Sequence, residues 1–161
     1  MELKRTDNYL GADSTIIVEW GPQYATGIDL IDTQHKALVD LTNQLYKASL
    51  IRDGNFEAVF KDSMSRLVEY VRFHFSAENE LLERVEYPNH GDHKKEHEIL
   101  VMQILDAAKA YEEGNKFAPN ALVRDLKDWV FGHIALVDRE YSAFVAEQKK
   151  NGLLTDEVIE G

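Results

Sequence analysis

His93-Lys94-Lys95-Glu96-His97 places two imidazoles four residues apart. On a helix that spacing puts both rings on one face, one turn apart, within reach of a single metal ion. Leu100, Ile104, Ala107 and Tyr111 continue the face at helical spacing, so the pair points inward. Alone, two histidines at this spacing are a weak signal, because solvated pairs share it. The rest of the chain decides.

Working outward, the apolar pattern predicts four amphipathic helices joined by short connections. Residues 1 to about 15 are polar and aperiodic. Thr15 to Trp20 is a short apolar run that Gly21-Pro22 ends. With no second strand to pair it, an extended segment over the core is expected. Asp32 reads as the N-cap of a helix over about 33–51, whose inward face is His35, Leu38, Leu41, Thr42 and Leu45.

A second helix, about 56–86, carries Phe56, Phe60, Leu67, Val71, His74, Glu78, Leu81 and Val85 on one stripe. Tyr87-Pro88-Asn89 stops it, since the residue before a proline disfavours helix. The third spans about 91–112 and ends near Gly114-Asn115. Pro119 opens the fourth, about 119–148, with Leu122, Leu126, Trp129, His133, Val137 and Phe144 facing inward. These elements predict an all-α, antiparallel up-down-up-down four-helix bundle with an extended N-terminal arm. The expected division is an arm over 1–19, the bundle over 20–150 and a short acidic tail over 151–161.

Composition narrows the function. At 161 residues the chain has the size of one domain with a proper core. Its net charge is −11 and it has no basic stripe, which argues against nucleic acid and anionic membranes. With no cysteine, it has no disulfide, thiolate-bound zinc, iron–sulfur cluster or cysteine nucleophile. The N-terminal residues lack an apolar core of signal-peptide length, and no stretch is apolar enough to span a bilayer. A cytoplasmic monomer is the expectation.

The polar residues on the inward stripes carry the chemistry. His35 comes from the first helix, His74 and Glu78 from the second, His93 and His97 from the third, His133 and Asp138 from the fourth. Unpartnered ionisable groups in a core are costly, and a metal centre resolves that cost for the whole set. The remaining histidine, His90, is read as a solvated loop residue. Imidazole and carboxylate without sulfur suit iron, manganese, copper or zinc. Seven ligands exceed what one ion needs, which implies two metals bridged by carboxylates. Ferritin-like di-iron enzymes carry Glu-x-x-His pairs, and this chain has none.

In order and spacing, the chain resembles the bacterial hemerythrins. The residues that carry the likeness are Gly27-Ile28, Ile31 to Lys36, His74-Phe75 through Glu78, and Tyr87-Pro88. It continues through His93 to His97 and Trp129 through His133-Ile134 to Asp138. The resemblance implies a non-haem di-iron centre with an oxo or hydroxo bridge that binds O2 reversibly, for storage, delivery or sensing. NO and small anions such as azide are further ligands. His93, His97 and His133 would hold one iron. His35 and His74 would hold the other, which keeps an open position, while Glu78 and Asp138 bridge. Phe75, Trp129, Val130 and Ile134 would line the O2 pocket. The protein is then expected not to be an enzyme; the competing reading is a di-iron enzyme acting on NO, peroxide or ferrous iron.

Two departures stand out. Val130 occupies a position where the family usually has leucine, and Gly132 sits inside a helix, where glycine costs about 1 kcal/mol relative to alanine. In addition, His133 and Asp138 are five residues apart, about 140° off on an ideal helix. They meet only if the helix is distorted, as by a π-bulge, or if the side chains converge from opposite flanks.

Overall fold

The computed structural model describes residues 16–161. The stretch 1–15, most of the expected arm, lies outside the described residues. Four rods build the fold. They are α1 (Asp29–Ser49), α2 (Phe56–Arg84), α3 (His90–Glu112) and a composite fourth rod. The fourth runs from α4 (Ala118–Trp129) through a π segment (Val130–Val137) into α5 (Asp138–Lys150). A short α6 (Asp156–Glu160) follows. Each long helix buries one stripe and the connections are short, so the rods alternate in direction: α1 packs on α2 and α4, and α3 on α2 and α4.

Residues 16–21 form no regular element, as the lone apolar run suggested. Val18 is buried, and the Asn43 side chain holds the segment against α1. Asn43 Oδ1 accepts from the Ile17 and Val18 amides at 2.9 and 3.0 Å, and its Nδ2 donates to Val18 O at 2.7 Å. One side-chain amide thus does the work of a neighbouring strand.

Two of the helix boundaries that depart from the sequence reading have a clear local reason. α1 begins three residues before Asp32, with Ile28 at its N-cap. Asp32 instead reaches back to accept from Thr26 N, Thr26 Oγ1 and Gly27 N at 2.7, 2.8 and 3.1 Å. Gly27 adopts φ +79°, a left-handed conformation that favours glycine. Second, α2 stops before the Tyr87-Pro88 turn, because Glu86 swings to φ +53°. Tyr87 N then bonds Leu82 O at 2.9 Å and Glu86 N bonds Glu83 O at 3.1 Å, the paired bonds of a Schellman cap. His90 consequently opens α3 rather than lying in a loop, and it is half-buried, not solvated.

The interior has three layers. A large apolar cluster includes Leu38, Leu67, Val71, Leu100, Ile104, Leu122, Leu126, Val130 and Ile134. A smaller one, at the end where α2 meets α3, holds Ile31, Leu81, Leu82, Val85, Tyr87, Tyr141, Val145 and Ile159. Between them lies a polar layer. Along α1 the order is Ile31, His35, Leu38; along α2 it is Val71, His74, Glu78, Leu81, and both sequences cross the same three layers.

The tail is acidic, yet part of it is folded. Ile159 is buried in the smaller cluster, Arg84 donates to Val158 O and Ile159 O at 2.7 and 3.1 Å, and Lys149 pairs with Asp156.

Glu86 offers a direct test of the α2 cap. A side chain in the left-handed region costs about 1–2 kcal/mol, partly offset by the greater backbone freedom glycine brings to the unfolded chain. Glu86→Gly is expected to raise stability by about 0.5–1 kcal/mol in denaturant titration. A loss of stability would mean that Glu86 makes a compensating interaction there.

Candidate metal centre

The polar layer gathers all seven side chains that the sequence singles out. His35, His74, Glu78, His93, His97, His133 and Asp138 are each at most 4% exposed. α1, α2, α3 and the π segment each supply at least one histidine, and Asp138 stands at the junction of the π segment with α5. That junction explains how His133 and Asp138 meet. The Asp138 amide bonds His133 O, an i to i+5 bond that brings residues five apart close to alignment. His133 Nε2 lies 2.9 Å from Asp138 Oδ1.

The extra residue of the π segment also shifts the inward stripe by one. The sequence reading carried it to Val137 and Phe144, which are only half-buried. Asp138, Tyr141 and Val145 are the residues that face the interior.

Two carboxylates organise the five rings. Asp138 Oδ1 lies 2.7 Å from His93 Nε2, and its Oδ2 lies 3.2 Å from His35 Nε2. Glu78 Oε2 lies 3.0 Å from His97 Nε2 and 3.5 Å from His74 Nε2. His97 and His133 face each other Nε2 to Nε2 at 3.0 Å. Donor atoms fall into two overlapping groups. One is Glu78, His93, His97, His133 and Asp138; the other is His35, His74 and Glu78. Within each group the atoms lie within 4.8 Å of one another, close enough to share an ion.

The surroundings orient these rings. His74 Nδ1 donates to Gln34 Oε1 at 2.9 Å, which leaves the Nε2 lone pair facing the cluster. Tyr141 OH donates to Glu78 Oε1 at 2.5 Å. Neither partner was read from the sequence. Gln34 is a polar residue on a buried position beside His35, and Tyr141 lies three residues after Asp138, so helical spacing from known members was the available signal. Phe75 stacks on His97 with ring centroids 3.7 Å apart, and Trp129 stacks on His133 at 4.7 Å. Val130 and Ile134 are buried in the larger apolar cluster. His90 stands apart, with Nε2 3.4 Å from Asn79 Oδ1.

Several buried donor atoms face another group at 3.0–3.5 Å without forming a hydrogen bond to it: His35 Nε2, His74 Nε2, Glu78 Oε2 and Asp138 Oδ2. Orphaned lone pairs of this kind are costly unless a Lewis acid takes them, so the donor set fits a metal. Protonation agrees. Burial lowers the pKa of His74 to about 4 against the pull of Glu78, and burial likewise lowers that of His97, so both rings are neutral near pH 7. Burial and Asp138 raise the pKa of Glu78, but His74 and His97 outweigh them and hold it at about 2. Asp138 is pushed up by burial and pulled well below the usual range by His133, His35 and His93. Neutral imidazoles beside ionised carboxylates are the ligating forms.

The shift at His74 sets a pH dependence for the metal-free protein. Its unfolded chain takes up a proton near 6.5 and the folded one near 4, so stability falls as pH drops through that window. The depressed pKa of Glu78 adds stability above about 4.5 that is lost toward about 2. Thermal melts of metal-free protein should show the midpoint falling from pH 6.5 to pH 4. A flat profile would contradict the neutral, buried state of His74.

Comparison with known proteins agrees with the geometry. Residues 26–145 match the hemerythrin HHE cation binding domain. A bacteriohemerythrin of Pseudomonas aeruginosa is 31% identical over 122 residues, covering 76% of this chain and 77% of its own. One of Methylococcus capsulatus is 29% identical over 119 residues, covering 74% and 88%. The crystal structure of a hemerythrin point mutant superposes with a TM-score of 0.70 at 27% identity, over 80% of this chain and 96% of the other. A bundle of this topology, a buried histidine–carboxylate layer at its centre and a family match across most of its length together place the chain in the hemerythrin family.

Proposed function

We propose that this protein binds O2 reversibly at two non-haem iron ions joined by an oxo or hydroxo bridge, for oxygen storage, delivery or sensing. The observation that carries the reading is the division of the donors. Three histidines lie in one group and two in the other, with Glu78 common to both. His93, His97 and His133 would hold one iron, His35 and His74 the other, and Glu78 and Asp138 would bridge. The group with fewer histidines would leave a coordination position for a small ligand. When bound, the iron pair would supply the electrons that O2 takes up on binding and would regain them on its release.

The chain's own residues position and protect that site. Gln34 and Tyr141 fix a ring and a carboxylate by hydrogen bonds, which preserves the ligand geometry. Phe75, Trp129, Val130 and Ile134 are assigned the apolar wall that excludes water from the O2 site. Support for the wall comes from Phe75, whose ring centroid lies 5.7 Å from that of His74, and from the burial of Val130 and Ile134 at 1% and 0% exposure.

Optical spectra of the ferrous protein, cycled between deoxygenated and aerated buffer, test the function. A visible band should appear with O2 and vanish on its removal through repeated cycles. Catalytic O2 consumption, or a single irreversible oxidation, would overturn the reading. Two variants test the ligands. His35→Ala should abolish the O2 band while the fold survives, because the other group keeps its three histidines. His90→Ala should retain iron and O2 binding. The reverse outcome would refute the assignment.

Val130 tests the wall. Leucine there adds one methylene, in a core where such changes often cost under about 1.5 kcal/mol. Val130→Leu is expected to slow decay of the oxygenated spectrum at least twofold, more so with azide added, as excluded volume keeps water and anions away. Equal decay rates would show that residue 130 does not guard the site.

A further inference from the structure

Beside the cluster lies a second feature that the O2 reading does not use. A cavity of about 300 Å³ sits where the start of α3 meets the fourth rod, lined in part by Asn89, Asp92, His93, Glu96 and Glu140. Asn89, Asp92, Glu96 and Glu140 are exposed, so the mouth faces solvent. His93 is 4% exposed and belongs both to this wall and to the metal cluster. Its Nε2 is 2.7 Å from Asp138, whereas its Nδ1 is buried with no partner. One imidazole therefore separates the cavity from the donor atoms inside.

The lining has the chemistry of a cation path. Asp92 is paired with Lys95 at 2.9 Å, but Glu96 and Glu140 have no cationic partner among the described residues. Carboxylate and amide oxygens are weak, hard ligands that suit a hydrated divalent ion, and the imidazoles within bind iron-like metals more tightly. Six waters at about 30 Å³ each need roughly 180 Å³, so an ion with its hydration shell fits the cavity. The Phe75 and Trp129 rings, which stack on His97 and His133 and do not line the cavity, offer no carboxylate or amide oxygen to a hydrated ion. His93 also lies in the first turn of α3, where a helix opens most readily.

We propose that this cavity is the vestibule through which divalent metal is loaded: Glu96 and Glu140 concentrate the hydrated ion at the mouth, and His93 passes it to the cluster. The same negative rim repels small anions, so the path admits the metal while opposing species that would displace bound O2. The proposal rests on the metal-site reading and adds to it the route and the residues that set the loading rate.

Stopped-flow uptake of Fe²⁺ by metal-free protein under anaerobic conditions tests it, with Co²⁺ as an air-stable second probe. Glu96→Gln combined with Glu140→Gln is expected to slow uptake about tenfold at low ionic strength, the size of effect that charged clefts exert on association. Final metal content and spectrum should be unchanged, and the steep salt dependence of the parent protein should flatten. Glu98→Gln with Glu147→Gln, two exposed acids outside the cavity, should load at the parent rate. Equal rates in the vestibule variant and the parent would overturn the route, as would an unchanged salt dependence. Reduced final metal content would overturn it too, by making the two acids part of the site. Failure of the parent to bind either metal would instead refute the metal site.

Discussion

Seven ionisable side chains share one buried layer, and the bundle is arranged around their mutual compensation. Any one of them alone in an apolar core would carry a desolvation cost of several kcal/mol. Here each carboxylate stands between imidazoles from different helices: Asp138 from the fourth rod meets His35 of α1 and His93 of α3, and Glu78 of α2 meets His97 of α3. The layer therefore ties the rods together in a fixed register, and the apolar clusters above and below fix its depth. What it leaves unsatisfied is a set of lone pairs without hydrogen bonds, which a bound metal would take up.

The fourth rod shows how a buried side-chain pair coincides with a break in a regular element. An ideal helix would carry Asp138 away from His133, and the π segment restores the pair at the cost of less favourable helix geometry. Gly132 lies in this segment with open space around its Cα, so no steric contact requires a glycine there.

Much of this was legible in the sequence because the period of the apolar stripes and the inward histidines are the same signal. Each of the long helices, and six of the seven polar members of the layer, follow from helical spacing, whereas Asp138 joins His133 only through the π segment. The misses occur where one residue's backbone or one side chain overrides the pattern. Glu86 ends α2 early by adopting a conformation that proline rules do not anticipate. Asp32 caps backward onto Thr26 and Gly27 rather than starting the helix itself. Beyond Asp138 the stripe slipped by one residue, which hid Tyr141 behind Phe144 in the sequence reading. Gln34 was hidden differently: spacing can put it at a buried position, but its partner lies 40 residues away. The acidic composition of the tail masked Ile159, its buried residue in the smaller apolar cluster.

The central claim is that one layer of seven side chains holds two irons. Anomalous diffraction at the iron edge from crystals of the iron-loaded protein tests it most directly. The account predicts two peaks per chain, one among His93, His97 and His133 and the other beside His35 and His74, with Glu78 and Asp138 between them. A single peak, or iron located away from this layer, would contradict it.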